Sequence, residues 1–127
     1  MAKIVFCEDS PVIQKVIHVS MRATPHTILV VSDGETGLAL IERERPDLVL
    51  TDVSMPGISG LELCSRLKAQ PHLAHIPVVF LSASVQRSQI AEALRQGGVD
   101  FLSKPFSPAD LRAKVEMHIA GARPAEA

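Results

Sequence analysis

Five short runs of apolar, β-forming residues recur along the chain, separated by longer segments whose apolar positions repeat with a helical period. The runs are residues 3–7, 27–31, 48–51, 78–81 and 99–102. The middle runs are almost continuously apolar, as expected of strands that are covered on both faces. This alternation predicts an α/β fold in which parallel strands are joined by crossover helices.

Capping residues indicate where the first two helices begin. Ser10 is a predicted N-cap because Pro11 follows it, and proline is favoured at the first helical position. We expect this helix to end near residues 24–25. Asp33 is the predicted N-cap of the second helix, which stops before Pro46.

The remaining three helices have equally clear boundary signals. A third helix is predicted after Gly60, and a fourth spans about residues 84–96, where Gly97-Gly98 ends it. Ser107-Pro108 opens the fifth helix, with Asp110 as the acid of a capping box. The sequence therefore predicts five strands and five helices.

The length of 127 residues suits one domain, which we expect to span residues 1–121. Residues 122–127 are rich in alanine and charged residues and are predicted to be a flexible tail. No apolar run approaches the roughly 18 residues of a membrane helix, and the first residues lack an export signal. We therefore expect a cytoplasmic protein that does not bind membranes.

Charge and cysteine content exclude several other classes of protein. The 13 basic and 14 acidic residues give a net charge of −1, so no overall field attracts nucleic acid. Tryptophan and tyrosine are absent, which removes the usual stacking platform for single strands. Cys7 and Cys64 have no metal-binding spacing and are predicted to be buried free thiols.

Polar residues follow four of the predicted strands. Glu8 and Asp9 follow the first strand, Asp52 the third, Ser82 the fourth and Lys104 the fifth. In a doubly wound sheet, the carboxyl ends of the strands meet at one edge, where ligands bind. We therefore expect these five side chains to form one site.

Three carboxylates beside one lysine give this site a local charge of about −2, which would raise carboxyl pKa values without a bound cation. Mg²⁺ prefers oxygen ligands and suits such a site. A carboxylate can itself accept a phosphoryl group when cations neutralise the phosphoryl oxygens. Asp52 is the candidate phosphoacceptor, and Lys104 and Ser82 can each contact one phosphoryl oxygen.

The same residues resemble the receiver domain of bacterial two-component response regulators. The matching elements are Glu8-Asp9, Asp52, residues 55–60 (Met-Pro-Gly-Ile-Ser-Gly), Ser82-Ala83 and residues 104–106 (Lys-Pro-Phe). The likeness spans residues 3 to 119. It implies a flavodoxin-like sheet with the strand order 2-1-3-4-5.

The resemblance also implies partners and a metal site. Asp52 would take its phosphoryl group from the phosphohistidine of a histidine kinase or phosphotransfer protein. Asp9 and Asp52 would bind Mg²⁺, or Mn²⁺ as a substitute, together with the backbone carbonyl of Ser54. Glu8, where the family more often has aspartate, would support the metal through a water molecule.

Switching and access are further implications of the resemblance. Ser82 and Phe101 would change position on phosphorylation, and Ser54, Ala83 and Ser84 would control access of water to the phosphoryl group. The altered surface would include the fourth helix, the fifth strand and the fifth helix, and a downstream effector protein or domain would read it. Phe101 is equally well explained as a core residue.

The sequence also allows two other function classes to be compared with a phosphoacceptor. A Mg²⁺-dependent phosphohydrolase with an aspartyl-phosphate intermediate usually has a second acid two residues after its nucleophile, but Ser54 stands there. We therefore expect a signalling phosphoacceptor and not an enzyme. A phosphorylation-independent interaction domain would keep the fold, but the intact set of acids and Lys104 argues against it. The oligomeric state stays open.

Overall fold

The structure is a computed structural model that describes residues 1–83 and 87–121. Within these residues, five parallel strands form one sheet in the order β2-β1-β3-β4-β5. The strands are β1 (Lys3–Cys7), β2 (Thr27–Val31), β3 (Leu48–Asp52), β4 (Val78–Ser82) and β5 (Asp100–Ser103). The predicted fold class and strand order are confirmed.

Five helices in the described part of the chain cover both faces of the sheet. They are α1 (Pro11–Met21), α2 (Gly34–Glu44), α3 (Gly60–Lys68), α4 (Arg87–Arg95) and α5 (Pro108–Gly121). α1 and α5 pack on one face, and α2, α3 and α4 pack on the other. Side chains of β1 alternate between the two resulting cores, since Phe6 belongs to the first and Val5 to the second.

The predicted caps form the expected hydrogen bonds. Ser10 Oγ accepts from the Ile13 N–H at 3.4 Å, and Asp33 Oδ1 accepts from the Thr36 N–H at 2.7 Å. In α5, the Asp110 N–H donates to Ser107 Oγ at 3.0 Å. The reciprocal bond from the Ser107 N–H to Asp110 Oδ2 is 3.4 Å long, which completes the capping box.

Some predicted boundaries were wrong by a few residues. α1 ends at Met21 and not near Thr24, because the Thr24 N–H and hydroxyl both donate to the Met21 carbonyl and close the helix. β5 begins at Asp100 and not at Val99, whose side chain is half exposed after the Gly97-Gly98 turn.

β3 and β4 each extend one residue beyond the prediction, to Asp52 and Ser82, because both residues pair with the neighbouring strand. The predicted start of the fourth helix at Ser84 and the predicted tail at residues 122–127 lie outside the described residues. None of the helices in the described ranges is long and apolar enough to cross a membrane.

Both cysteines are free thiols with fully buried side chains, as predicted. Burial raises the pKa of Cys7 to about 12; the hydroxyl of Thr51 lowers it in part, and the negative charge of Asp33 adds a smaller upward effect. Burial also raises the pKa of the Cys64 thiol. Neither thiol is therefore ionised near neutral pH.

Asp100, at the start of β5, anchors α5 to the edge of the sheet. Its Oδ2 is 2.7 Å from Lys114 Nζ and 2.9 Å from His118 Nε2, and its Oδ1 accepts from the Phe101 N–H at 2.8 Å. Burial alone would raise the pKa of this carboxyl. The hydrogen bonds from Lys114, His118 and the Phe101 N–H outweigh burial, so that the pKa is lowered.

A lowered folded-state pKa means that ionised Asp100 stabilises the fold above the unfolded-state pKa and loses this effect as pH falls through the folded-state value. We expect Asp100→Asn to reduce the free energy of unfolding by about 1–2 kcal/mol at pH 7. The difference between the variant and the wild type should shrink below about pH 4. Urea unfolding at several pH values would measure it.

Glu62→Gln is the matched control, because it removes an ion pair with Arg66 in which both side chains are half exposed. This control should change stability much less at every pH. If the difference in unfolding free energy between Asp100→Asn and the wild type stays constant down to pH 2.5, ionised Asp100 is not the source of the stabilisation.

Candidate functional site

The carboxyl ends of β1, β3, β4 and β5 bring the predicted side chains to one edge of the sheet. Glu8 and Asp9 directly follow β1, Asp52 is the last residue of β3, Ser82 is the last of β4, and Lys104 directly follows β5. The strands lie in the order β1-β3-β4-β5, so that these residues approach one another although 96 positions separate Glu8 from Lys104. The expected convergence is present.

Lys104 joins two of the carboxylates. Its Nζ lies 2.7 Å from Asp52 Oδ2 and 2.5 Å from Glu8 Oε1. The side chains of Lys104 and Asp52 are only 13% and 15% exposed, and that of Glu8 is fully buried. Burial of these charges strengthens their attraction and makes each dependent on its partners.

The Glu8 carboxylate is held from two sides. Its Oε2 accepts from the Ser10 N–H at 3.0 Å, and its Oε1 forms the ion pair with Lys104. Apart from this ion pair, Oε1 accepts no hydrogen bond from the described residues. Burial raises the pKa of Glu8, as does the charge of Asp52, and the opposing effects of Lys104 and the Ser10 N–H are smaller.

In Lys104 the ion pairs, and not burial, determine the direction of the pKa shift. Burial would lower the pKa of its ammonium group, but the hydrogen bond to Asp52 and the charges of Asp52 and Glu8 outweigh burial and raise the pKa. Lys104 is therefore a fixed cation at neutral pH. The crowding of acids inferred from the sequence is real, and one lysine compensates only part of it.

Glu8, Asp9 and Asp52 together form a potential metal site. One oxygen from each carboxylate lies within 4.8 Å of the other two. Asp9 is exposed, Asp52 is partly buried and Glu8 is buried, so the cluster opens to solvent on the Asp9 side. An all-oxygen donor set with excess negative charge fits a hard divalent cation that keeps several water ligands.

The other predicted site residues surround this cluster. Ser82 is nearly buried, and its carbonyl accepts from the Lys104 N–H at 2.8 Å, which ties the end of β4 to the residue after β5. Phe101 is partly buried, pairs with Phe80 across β4 and β5 and packs against the core of α2, α3 and α4. Ser54 and Ala83 are exposed at the ends of β3 and β4. Ser84 lies outside the described residues.

Close packing beneath Asp52 was not foreseen. A Cβ atom added to Gly60, the first residue of α3, would lie 1.9 Å from the Asp52 carbonyl oxygen and 3.1 Å from Thr51 Oγ1. The Gly60 N–H donates to the Val53 carbonyl at 2.9 Å, and the Thr51 hydroxyl donates to the Asp52 carbonyl at 3.0 Å. Gly60, the last residue of the Met-Pro-Gly-Ile-Ser-Gly segment, is the sequence signal for this close packing, because it stands where the helix begins.

Another feature absent from the predictions is the peptide bond between Lys104 and Pro105, which is cis. An X-Pro sequence permits this isomer but does not predict it.

A family model described as "Response regulator receiver domain" matches residues 4–116. The chain belongs to this family. It is thus a receiver domain of the two-component response-regulator type, as the motifs at the strand ends predict.

Individual relatives agree with this membership. The receiver domain is 35% identical to the response regulator PleD of Caulobacter vibrioides over 90% of this chain and 25% of that protein. It is 31% identical to protein PilH of Pseudomonas aeruginosa over 95% of this chain and 100% of PilH. The chain spans between a quarter and about half of the length of the first curated relatives it matches.

A solved structure of a similar receiver domain contains a magnesium ion. The receiver domain of the sensor histidine kinase PA1611 from Pseudomonas aeruginosa, determined with a magnesium ion coordinated in its active-site cleft, is 29% identical to this chain. The superposition has a TM-score of 0.86 and covers 94% of this chain and 98% of that one.

Gly60→Ala tests the close packing below Asp52. Because the added methyl group meets backbone atoms that cannot rotate away, we expect a loss of about 1–3 kcal/mol in the free energy of unfolding and a shifted Asp52 amide resonance. Ser59→Ala is the matched control, since it removes the hydroxyl that caps α3 by accepting from the Glu62 N–H. That control should cost about 1 kcal/mol and leave the Asp52 resonance in place. Wild-type stability in Gly60→Ala would contradict the packing argument.

Proposed function

We propose that Asp52 accepts a phosphoryl group from the phosphohistidine of a histidine kinase or phosphotransfer protein, in a reaction that requires Mg²⁺. The observation that carries this proposal is the cluster of Glu8, Asp9 and Asp52 at the sheet edge, in which Glu8 and Asp52 both pair with the partly buried Lys104. In this role the receiver domain is a signalling phosphoacceptor that assists only its own phosphorylation and dephosphorylation.

Asp52 is suited to be the nucleophile because its position is fixed. It is the last residue of β3, where it pairs with Leu81 of β4, and its carbonyl accepts a hydrogen bond from the Thr51 hydroxyl. A carboxylate oxygen of Asp52 forms the new bond to phosphorus while the bond from phosphorus to the donor's imidazole nitrogen breaks. The product is an acyl phosphate on Asp52.

Lys104 is the proposed partner of one phosphoryl oxygen. In the described structure, its ammonium group is neutralised by Asp52 and Glu8. Once Asp52 carries a phosphoryl group, Lys104 can exchange its contact with Asp52 Oδ2 for a phosphoryl oxygen while it keeps Glu8. Glu8 thus holds the lysine at the site during the exchange.

Asp9, Asp52 and the Ser54 carbonyl would hold the Mg²⁺ ion, and Glu8 would act on it through water. When bound, the ion supplies positive charge that stabilises the phosphoryl oxygens during transfer. Mn²⁺ has the same preference for oxygen ligands and is the expected substitute. The magnesium ion in the cleft of the related PA1611 receiver domain supports this proposal.

Ser82 and Phe101 are the proposed switch. Ser82 lies at the end of β4, where its carbonyl binds the Lys104 N–H, so a shift of Ser82 toward the phosphoryl group would pull on both strands. Phe101 is partly exposed on the neighbouring strand, and we propose that it changes its packing when Ser82 moves. The altered surface of α4, β5 and α5 would be read by an effector protein or an attached output domain.

Intact-mass measurement after incubation with acetyl phosphate tests the proposal. We expect one added phosphoryl group in the presence of Mg²⁺ and none after the metal is removed with EDTA. Asp52→Asn should abolish the adduct because an amide is a poor nucleophile. Lys104→Met should reduce the rate of its formation by about 10²-fold or more, since the phosphoryl charge loses its cation.

Asp110→Asn is the control for the loss of one carboxylate, because Asp110 is exposed in the first turn of α5. It should be phosphorylated at the wild-type rate. An adduct that persists in Asp52→Asn, or one that forms equally well without a divalent cation, would refute the proposal.

Ser54→Met tests access to the phosphoryl group. Ser54 is exposed two residues after Asp52, so a longer side chain there should shield the acyl phosphate from water. We expect dephosphorylation to slow several-fold, measured by the decay of the phosphorylated mass after the donor is removed. The same replacement at the exposed residue Ser65 on α3 is the control. Equal decay rates in Ser54→Met and the wild type would exclude Ser54 from access control.

A further inference from the structure

The side chain of Gln14, in the first turns of α1, connects two loops at the carboxyl edge of the sheet. Its Nε2 donates to the Glu8 carbonyl oxygen at 2.5 Å and to Ser32 Oγ at 3.0 Å. A carboxamide nitrogen carries two hydrogens, so one side chain serves both acceptors. Because the Glu8 carbonyl can only accept, the nitrogen and not the oxygen of Gln14 must face it. One residue thus joins the loop after β1 to the loop after β2.

The bond to Glu8 controls the direction in which Asp9 leaves the strand. The Glu8 carbonyl belongs to the peptide unit that joins Glu8 to Asp9, and a peptide unit is planar. The Glu8 N–H is fixed as well, because it donates to the Val31 carbonyl at 2.9 Å. With both backbone groups of Glu8 held, the position of the Asp9 Cα follows.

Asp9 depends on this backbone restraint more than the other two acids do. Glu8 is buried and held by Lys104 and Ser10, and Asp52 is partly buried at the end of β3. Asp9 is exposed, so that packing does not fix its carboxylate. Gln14 is the side chain that orients the peptide unit before it.

We propose that Gln14 is a positioning residue for the metal-binding carboxylates. It holds the Glu8–Asp9 peptide so that the Asp9 carboxylate approaches the ion together with Asp52, and Ser32 keeps the Gln14 carboxamide in the required rotamer. The inference rests on the proposed function, since it takes Asp9 and Asp52 as the Mg²⁺ ligands. Mg²⁺ requires nearly ideal octahedral geometry, and residues that orient metal ligands contribute strongly to affinity.

Titration of the ¹⁵N-labelled protein with Mg²⁺ alone, followed by NMR at the amides of Asp9 and Asp52, tests the proposal without any phosphoryl donor. Gln14→Met keeps the length of the side chain and its helix propensity but removes both donors. We expect the dissociation constant for Mg²⁺ to rise about three- to tenfold, as for the loss of one or two hydrogen bonds. The thermal midpoint of unfolding should change by no more than it does in the control variant Val12→Met. Ser32→Ala should weaken binding in the same direction but less.

Two further variants separate positioning from a general effect on the fold. Val12→Met introduces the same side chain at a residue of α1 that is 71% exposed, and it should leave the dissociation constant unchanged. Gln14→Asn keeps an uncharged carboxamide but is one methylene shorter, so its donors should not reach the Glu8 carbonyl and it should bind Mg²⁺ as weakly as Gln14→Met. A wild-type dissociation constant in Gln14→Met or in Gln14→Asn would overturn the proposal.

The same titration keeps failure of the inference distinct from failure of the proposed function. If Mg²⁺ does not shift the Asp9 and Asp52 amides of the wild type, the metal site itself is refuted, and the positioning role with it. If the wild type binds and Asp52→Asn loses affinity while Gln14→Met does not, the metal site stands and only the role of Gln14 falls.

Discussion

The ion pairs of Lys104 are the interaction on which the rest of this site depends. A fully buried glutamate at the end of a central strand would be costly without a cation, and Lys104 supplies that cation from the other end of the sequence. The same ammonium group contacts Asp52, so the charge that permits burial of Glu8 also holds the phosphoacceptor candidate in place. The Lys104 N–H donates to the Ser82 carbonyl, so the pairing of β4 with β5 also fixes the backbone that carries this charge.

The strand order explains why the site can exist with so few residues. β1 and β3 are neighbours, so Glu8 and Asp52 lie side by side at their ends, and β4 separates β3 from the strand that carries Lys104. The long lysine side chain reaches across β4 toward both acids. Ser82 ends the intervening strand, and its carbonyl accepts from the Lys104 N–H.

Much of this arrangement follows from the sequence because local and global signals agree. The apolar runs locate every strand to within one residue, since a strand buried on both faces leaves little room for polar residues. Ser10, Asp33 and the Ser107–Asp110 pair form the predicted caps, because capping depends on residues three positions apart. The ion pair between Glu8 and Lys104, the bridge from Gln14 to Ser32 and the clearance at Gly60 depend on side chains from distant elements. Periodicity and caps carry no information about such contacts, so the sequence predicts the members of the site better than their bonds.

The buried cysteines have a practical consequence for the study of this receiver domain. Both thiols are enclosed in the core and Cys7 has its pKa raised to about 12, so alkylating reagents meet no reactive native sulfur on the folded protein. A cysteine engineered on an exposed face, such as at Leu94 or Met117, would be the preferred attachment point for a spectroscopic label. The chain also lacks tryptophan and tyrosine, so the emission of an attached fluorophore would be free of their background. Motion of α4 and α5 can thus be followed in a protein whose native core is left unaltered.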